Sequence, residues 1–139
     1  MSDSVVYDVT EGVGTITLNR PDAMNSLDSA TKAALRDTAA KAAGDDSVRV
    51  IVLRGTGRAF CVGQDLKEHA ASLEAGHGLS NTVREHYNPL LRALVSAPKP
   101  VIAAVNGVAA GAGAALAFAA DLRIASDKAA FNLAFANIG

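Results

Sequence analysis

The stretch PKPVIAAVNGVAAGAGAALAFAADLRIA, residues 98–125, decides the fold. Pro98 and Pro100 stop whatever precedes them, because proline lacks an N–H and constrains its neighbour. Val101 to Val105 is then continuously apolar, the mark of a strand covered on both faces. Gly111 to Ala120 reads as a tightly packed, alanine-rich helix. Leu122 to Ala125 reads as a further buried strand. Strand–helix–strand order with short connections implies right-handed crossovers and a largely parallel sheet, so the fold class is α/β.

Working outward, Val48 to Leu53 is a second apolar, β-branched run and a second strand expected to be covered on both faces. Upstream, Val5, Tyr7 and Val9 fall on one face of a strand and Gly14, Ile16 and Leu18 do the same in the next, which predicts a hairpin with one buried face across Glu11-Gly12. Asn19-Arg20-Pro21-Asp22 breaks that pattern. Asp28 is a good N-cap, and Ala34, Leu35, Thr38 and Ala42 then form a stripe, with Lys32, Arg36 and Lys41 expected largely outside it. Gly44 is the stop. Residues 66–78 are polar without a clean period and are expected to form a mobile excursion. Asn81 to Val95 predicts a helix with a kink or break at Pro89. Ala130 to Asn132 predicts a short strand.

The 139 residues fit one small domain, 1–139, with enough apolar side chains for a core. Half the residues are hydrophobic but only 4% are aromatic, which favours close helix–sheet packing. A formal charge of −1 implies neither nucleic-acid binding nor attraction to an acidic membrane. No run approaches the roughly 18 apolar residues that span a bilayer. The opening MSDSVVYDVT carries two acids and no basic segment, unlike a secretory signal. The expectation is a cytoplasmic protein. A single cysteine, Cys61, excludes an internal disulfide.

Two glycine-bearing turns follow strands: Phe60-Cys61-Val62-Gly63-Gln64-Asp65-Leu66, and Gly107-Val108-Ala109-Ala110-Gly111-Ala112-Gly113. Small residues at a strand-to-helix junction let a ligand reach unpaired N–H groups; they equally permit close packing. A dinucleotide fingerprint fails, because Leu116 replaces its third glycine and Phe131 stands near the place of its acid. There is no phosphate loop, CxxC pair, HExxH or GxSxG motif, and no spacing for a metal site. His69, His77 and His86 read as surface histidines, and Cys61 as a small buried residue. Glu68, Glu74 and Glu85 fit either a proton-transfer role or a solvated face.

Three pieces, GVGTITLNRPDAMNSLD (residues 12–28), VIVLRGTGRAFCVGQDLKE (50–68) and PKPVIAAVNGVAAGAGAALAFAADLRIASDKAAF (98–131), occur in an order and spacing that resemble the enoyl-CoA hydratase/isomerase, or crotonase, family. The resemblance runs from Gly12 to Gly139. It implies the N-terminal portion of a crotonase-type ββα spiral that binds an acyl-CoA thioester. It also implies an oxyanion hole from the backbone N–H groups of Gln64 and Ala112, stabilising an enolate. Ala112 stands where the family favours glycine. Ala23, Met24 and Ser26, with Asp65, Leu66, Lys67 and Gly111, match segments that contact the substrate or its CoA. No cofactor is implied beyond coenzyme A as part of the substrate.

The family's hydratases use two glutamates, and here those positions hold Ala115 and Phe135. Neither side chain exchanges a proton, so ordinary hydration of a 2-enoyl-CoA is expected to be severely impaired or absent. Relatives are roughly twice as long, with C-terminal helices that complete the site and build trimers. The expectations are therefore an enzyme of the hydratase/isomerase type, homotrimeric or hexameric at full length. The alternatives are a non-catalytic CoA-ester-binding or assembly subunit, or an inactive fragment.

Overall fold

The computed structural model describes residues 3–78 and 80–138. Strands β1 (Val5–Thr10) and β2 (Val13–Leu18) form the expected antiparallel hairpin. Its turn residues have positive φ, 51° at Glu11 and 81° at Gly12, as a tight hairpin turn matching the strand twist requires.

Helix α1 (Ser29–Gly44) begins where the Asp28 carboxylate accepts the Thr31 N–H at 2.8 Å, a cap worth ~1 kcal/mol. Its buried residues are Thr31, Lys32, Leu35, Ala39 and Ala42. The expected stripe is thus turned, and Lys32, read as an outward side chain, is only 2% exposed. The reason is tertiary: its partners come from residues 64, 68 and 82.

Strands β3 (Val50–Gly55) and β4 (Ala59–Cys61) follow. In β3 buried Ile51, Leu53 and Gly55 alternate with half-buried Val50 and Val52 and exposed Arg54, so only one of its faces is fully covered. The segment expected to be irregular instead opens with helix α2 (Leu66–Glu74). Asp65 accepts the N–H groups of Lys67 and Glu68, satisfying donors that would otherwise be orphaned and starting the helix.

The next helical run comprises α3 (Ser80–Thr82), a wide π-type turn at Val83–Tyr87, and α4 (Asn88–Val95). The chain does not break at Pro89. Proline cannot donate to the carbonyl four residues back, that of Glu85, and the Arg36 guanidinium donates to it instead at 3.0 Å.

The rest is β5 (Val101–Val105), β6 (Val108–Ala110), α5 (Ala112–Ala119), β7 (Leu122–Ala125), β8 (Ala130–Asn132) and the short α6 (Phe135–Ile138). One sheet has the order β1-β2-β3-β5-β7, parallel beyond the hairpin; a second, wholly parallel sheet has the order β4-β6-β8. Each of β3, β5 and β7 is followed by a strand of the smaller sheet and then by helix. That repeated ββα turn is the expected spiral.

The core joins Ile16, Leu18, Ile51 and Leu53 of the larger sheet to Leu35 of α1 and Leu90 of α4. The apolar run of β7 was expected to be buried, but all four residues are exposed, Leu122 at 58% and Ile124 at 67%. β7 is an edge strand of the larger sheet, and no described residue covers it.

Candidate active site

β4 and β6 pair in parallel with Cys61 opposite Ala109, so the two glycine-bearing turns emerge side by side. Gly63 has φ 86°, and a Cβ there would stand 2.8 Å from the Ala110 oxygen and 3.0 Å from the Ala112 nitrogen. Only glycine fits both the conformation and the space. The Gly63 carbonyl accepts the Leu27 N–H at 2.7 Å, and the Asp65 N–H donates to the Leu27 carbonyl at 3.1 Å. In a trans peptide the C=O and N–H point in opposite directions, so the Gln64 N–H points away from Leu27. Ala112 is the first residue of α5, and its N–H has no partner within the helix. Neither N–H has an acceptor among the described residues.

Both residues line a cavity of about 390 Å³. Leu66, Tyr87, Leu91, Ala115, Leu116 and Phe135 supply much of its wall, so its surface is largely apolar. The structure therefore brings Gln64, Leu66, Gly111, Ala112, Ala115 and Phe135 together. They arrive from the ends of three adjacent strands of the smaller sheet, β4, β6 and β8. Gly111 donates to the Asn132 carbonyl at 2.8 Å, which ties the second turn to the third.

Ala23, Met24, Ser26, Asp65 and Lys67 do not line this cavity, but their two segments are neighbours. The Ser26 hydroxyl donates to Asp65 at 3.1 Å, and the Arg20 guanidinium reaches the same carboxylate at 3.2 Å. Burial alone would raise the Asp65 pKa. Hydrogen bonds from the Glu68 N–H, Ser26, Arg20 and the Lys67 N–H outweigh it and hold the carboxyl below its ordinary value. The side chains of Ser26 and Asp65 are thus engaged with each other, while Lys67 is exposed.

Beside the apolar cavity lies a polar recess of about 180 Å³, lined by Lys32, Glu68, His69, Thr82 and His86 among others. Gln64 and His69 border both spaces. The Lys32 ammonium donates to Thr82 Oγ1 at 2.7 Å and to Gln64 Oε1 at 3.3 Å, and lies 3.6 Å from Glu68. The Tyr87 hydroxyl donates to the same Gln64 oxygen at 2.6 Å. Burial pushes the Tyr87 pKa up, with Cys61 and Glu68 adding to it, which keeps that proton in place.

Sequence reading missed this network. Lysine on a helix is outward by default, and no local signal links residue 32 to residue 82. Glu68 is also more than a solvated acid, since it accepts the Ser29 N–H and hydroxyl at 2.8 Å each. His77 is exposed, while His69 and His86 are half-buried. Cys61 is fully buried as expected, its thiol pushed up to about 12 by burial. No group of three or more metal-ligating side chains occurs among the described residues.

Fold and site together define a ββα-spiral protein with an apolar cavity bordered by main-chain donors. The family model for enoyl-CoA hydratase/isomerase matches residues 8–139, and the chain belongs to that family. It is 51% identical over 136 residues to a Rhodobacter capsulatus protein named "Probable enoyl-CoA hydratase", covering 98% of the chain and 51% of the relative. It is 44% identical to the 1,2-epoxyphenylacetyl-CoA isomerase of Escherichia coli, covering 100% of the chain and 53% of the relative. The crystal structure of a Mycobacterium smegmatis enoyl-CoA hydratase superposes with a TM-score of 0.88 at 39% identity, covering 99% of the chain and 53% of that structure. The chain spans about half the length of the curated relatives it matches. The family is enzymatic, and these relatives are named for hydration and for isomerisation. Among the described residues, no helix is long and apolar enough to cross a membrane.

Proposed function

We propose that the apolar cavity receives the acyl end of an acyl-CoA, with the thioester oxygen accepting from the Gln64 and Ala112 N–H groups. The observation that carries this reading is the pair of N–H groups, without acceptors among the described residues, at the border of that cavity. Negative charge builds on the thioester oxygen as a proton leaves the α-carbon, and pre-aimed donors stabilise it without reorganising. Ala23, Met24 and Ser26, with Asp65, Leu66 and Lys67, are the segments proposed to meet the CoA portion; Lys67 is the residue suited to a phosphate.

Ala115 and Phe135 offer the cavity no acid, so the usual addition of water across a 2-enoyl-CoA is not the reaction proposed here. Neither of those two side chains can move the α-proton. The proposed setting is cytoplasmic, in a homotrimer or hexamer at full length. The same absence of acids favours a second reading, a subunit that binds the CoA ester without turning it over.

Calorimetry with a saturated acyl-CoA, paired with product analysis over a panel of CoA thioesters, tests both readings in the full-length protein. Binding with turnover supports the enzyme; binding without turnover supports the second reading. Absence of binding removes both, and near-normal hydration of crotonyl-CoA removes the claim about Ala115 and Phe135.

A further inference from the structure

We propose that Lys32 is a positioning residue for the Gln64 N–H, acting with Tyr87 through the Gln64 side-chain amide. The inference rests on the oxyanion reading above. Gln64 is held on its main-chain side by Leu27, which engages the carbonyl before it and the N–H after it, at 2.7 and 3.1 Å. Those two bonds leave the residue free to rock about the line joining them. The side chain closes that freedom, because Oε1 takes one donor from Tyr87 at 2.6 Å and one from Lys32 at 3.3 Å. A carbonyl-type oxygen has two lone pairs, so this one is fully used.

Lys32 is itself fixed. It is 2% exposed, its ammonium also donates to Thr82 at 2.7 Å, pairs with Glu68 at 3.6 Å and lies 5.8 Å from the centre of the Tyr87 ring. Removing an ammonium from water is costly unless its donors are met, and lysine is almost never fully buried without partners. A methionine would fill the same stem with no such cost. What lysine adds is a rigid donor aimed at Gln64, gathered from α1, α2 and α3 at once. Small displacements of groups around a reacting centre carry large effects, about a hundredfold in rate for 1 Å.

The test uses the full-length protein with a butyryl-CoA carrying ¹³C at its thioester carbonyl, read by infrared difference spectroscopy. Donors on that oxygen lower its stretching frequency. The expected result is a downshift in the unaltered protein that is largely lost in Lys32→Met and in Tyr87→Phe. Affinity for the thioester should change by less than about fivefold, since the apolar wall and CoA segments remain. A role confined to tying helices together would lower the melting temperature and leave the bound frequency unmoved. A downshift that survives in both variants overturns the inference alone; no downshift in the unaltered protein overturns the oxyanion reading and the inference together. Should Lys32→Met fail to fold, Tyr87→Phe decides the question, since it removes a single hydroxyl and keeps the ring.

Discussion

Gly113 of α5 lies directly against Cys61 of β4, so close that a Cβ at residue 113 would overlap the Cys61 carbonyl oxygen. This contact sets the helix N-terminus against the neighbouring turn and brings Ala112 to Gln64. Gly113→Ala forces backbone against backbone, where no rotamer gives relief. It should cost about 1–3 kcal/mol, the range for overpacking a dense core, read as a lower urea midpoint with an unchanged slope.

Removing one donor without disturbing the helix is possible at Ala112. Proline is tolerated at the first helical position, where the missing N–H was unpaired in any case. The preceding Gly111 has the conformational freedom to accept it. Ala112→Pro should therefore leave the circular dichroism spectrum intact. It should weaken any enolate-forming turnover by about 10²–10³-fold, the cost of one oxyanion donor. Unchanged turnover in a folded variant would remove Ala112 from the proposed mechanism.

Cys61 should be inert. Burial raises its pKa to about 12, so at pH 8 the thiolate is roughly one part in ten thousand. An aromatic disulfide reagent should label it only after denaturant is added. The folded thiol also holds its proton more tightly than an unfolded one, whose pKa is about 8.5. Its contribution to stability is complete below that value and is lost as pH rises towards the folded one. Rapid labelling of the native protein would contradict the burial.

At the acid end, Asp65 has a lowered pKa. Its contribution is therefore present above the unfolded value of about 3.9 and is lost as pH falls through the folded value. Asp65→Ala removes the cap of α2 and a partner of Arg20, and should cost about 1–2 kcal/mol at neutral pH. It should also flatten the acid limb of the stability profile, measured by urea titration at a series of pH values.

Tyr7 offers the opposite case. Its hydroxyl oxygen is buried and has no hydrogen-bond partner among the described residues. Tyr7→Phe removes an unsatisfied polar group while keeping the ring, so stability should be unchanged or rise by up to about 1 kcal/mol. A loss above that would reveal a partner for the hydroxyl.

The ββα order and the two glycine turns were legible because strands, breakers and small residues signal locally. Asp28 announced α1 in the same way. Asp65 gave an equal signal for α2, but the polar run after it masked the helix. Lys32 was beyond local reading, since its burial depends on Thr82, Gln64 and Glu68, up to 50 residues away. β7 failed for a different reason. Leu122 and Ile124 predict a cover, and pattern cannot say whether the covering residues lie within these 139.

The exposed edge of β7 has a kinetic consequence. Leu122 and Ile124 stand open on a strand whose outer edge pairs with no other strand among the described residues, and the stacked rings of Phe118 and Phe131, 5.3 Å apart, are 49% and 43% exposed. Such an edge templates another strand. For a solution of residues 1–139 alone, the encounter of two such edges is bimolecular. The initial loss of monomer should therefore follow the square of concentration, and Ile124→Lys should slow it by placing like charges at every meeting.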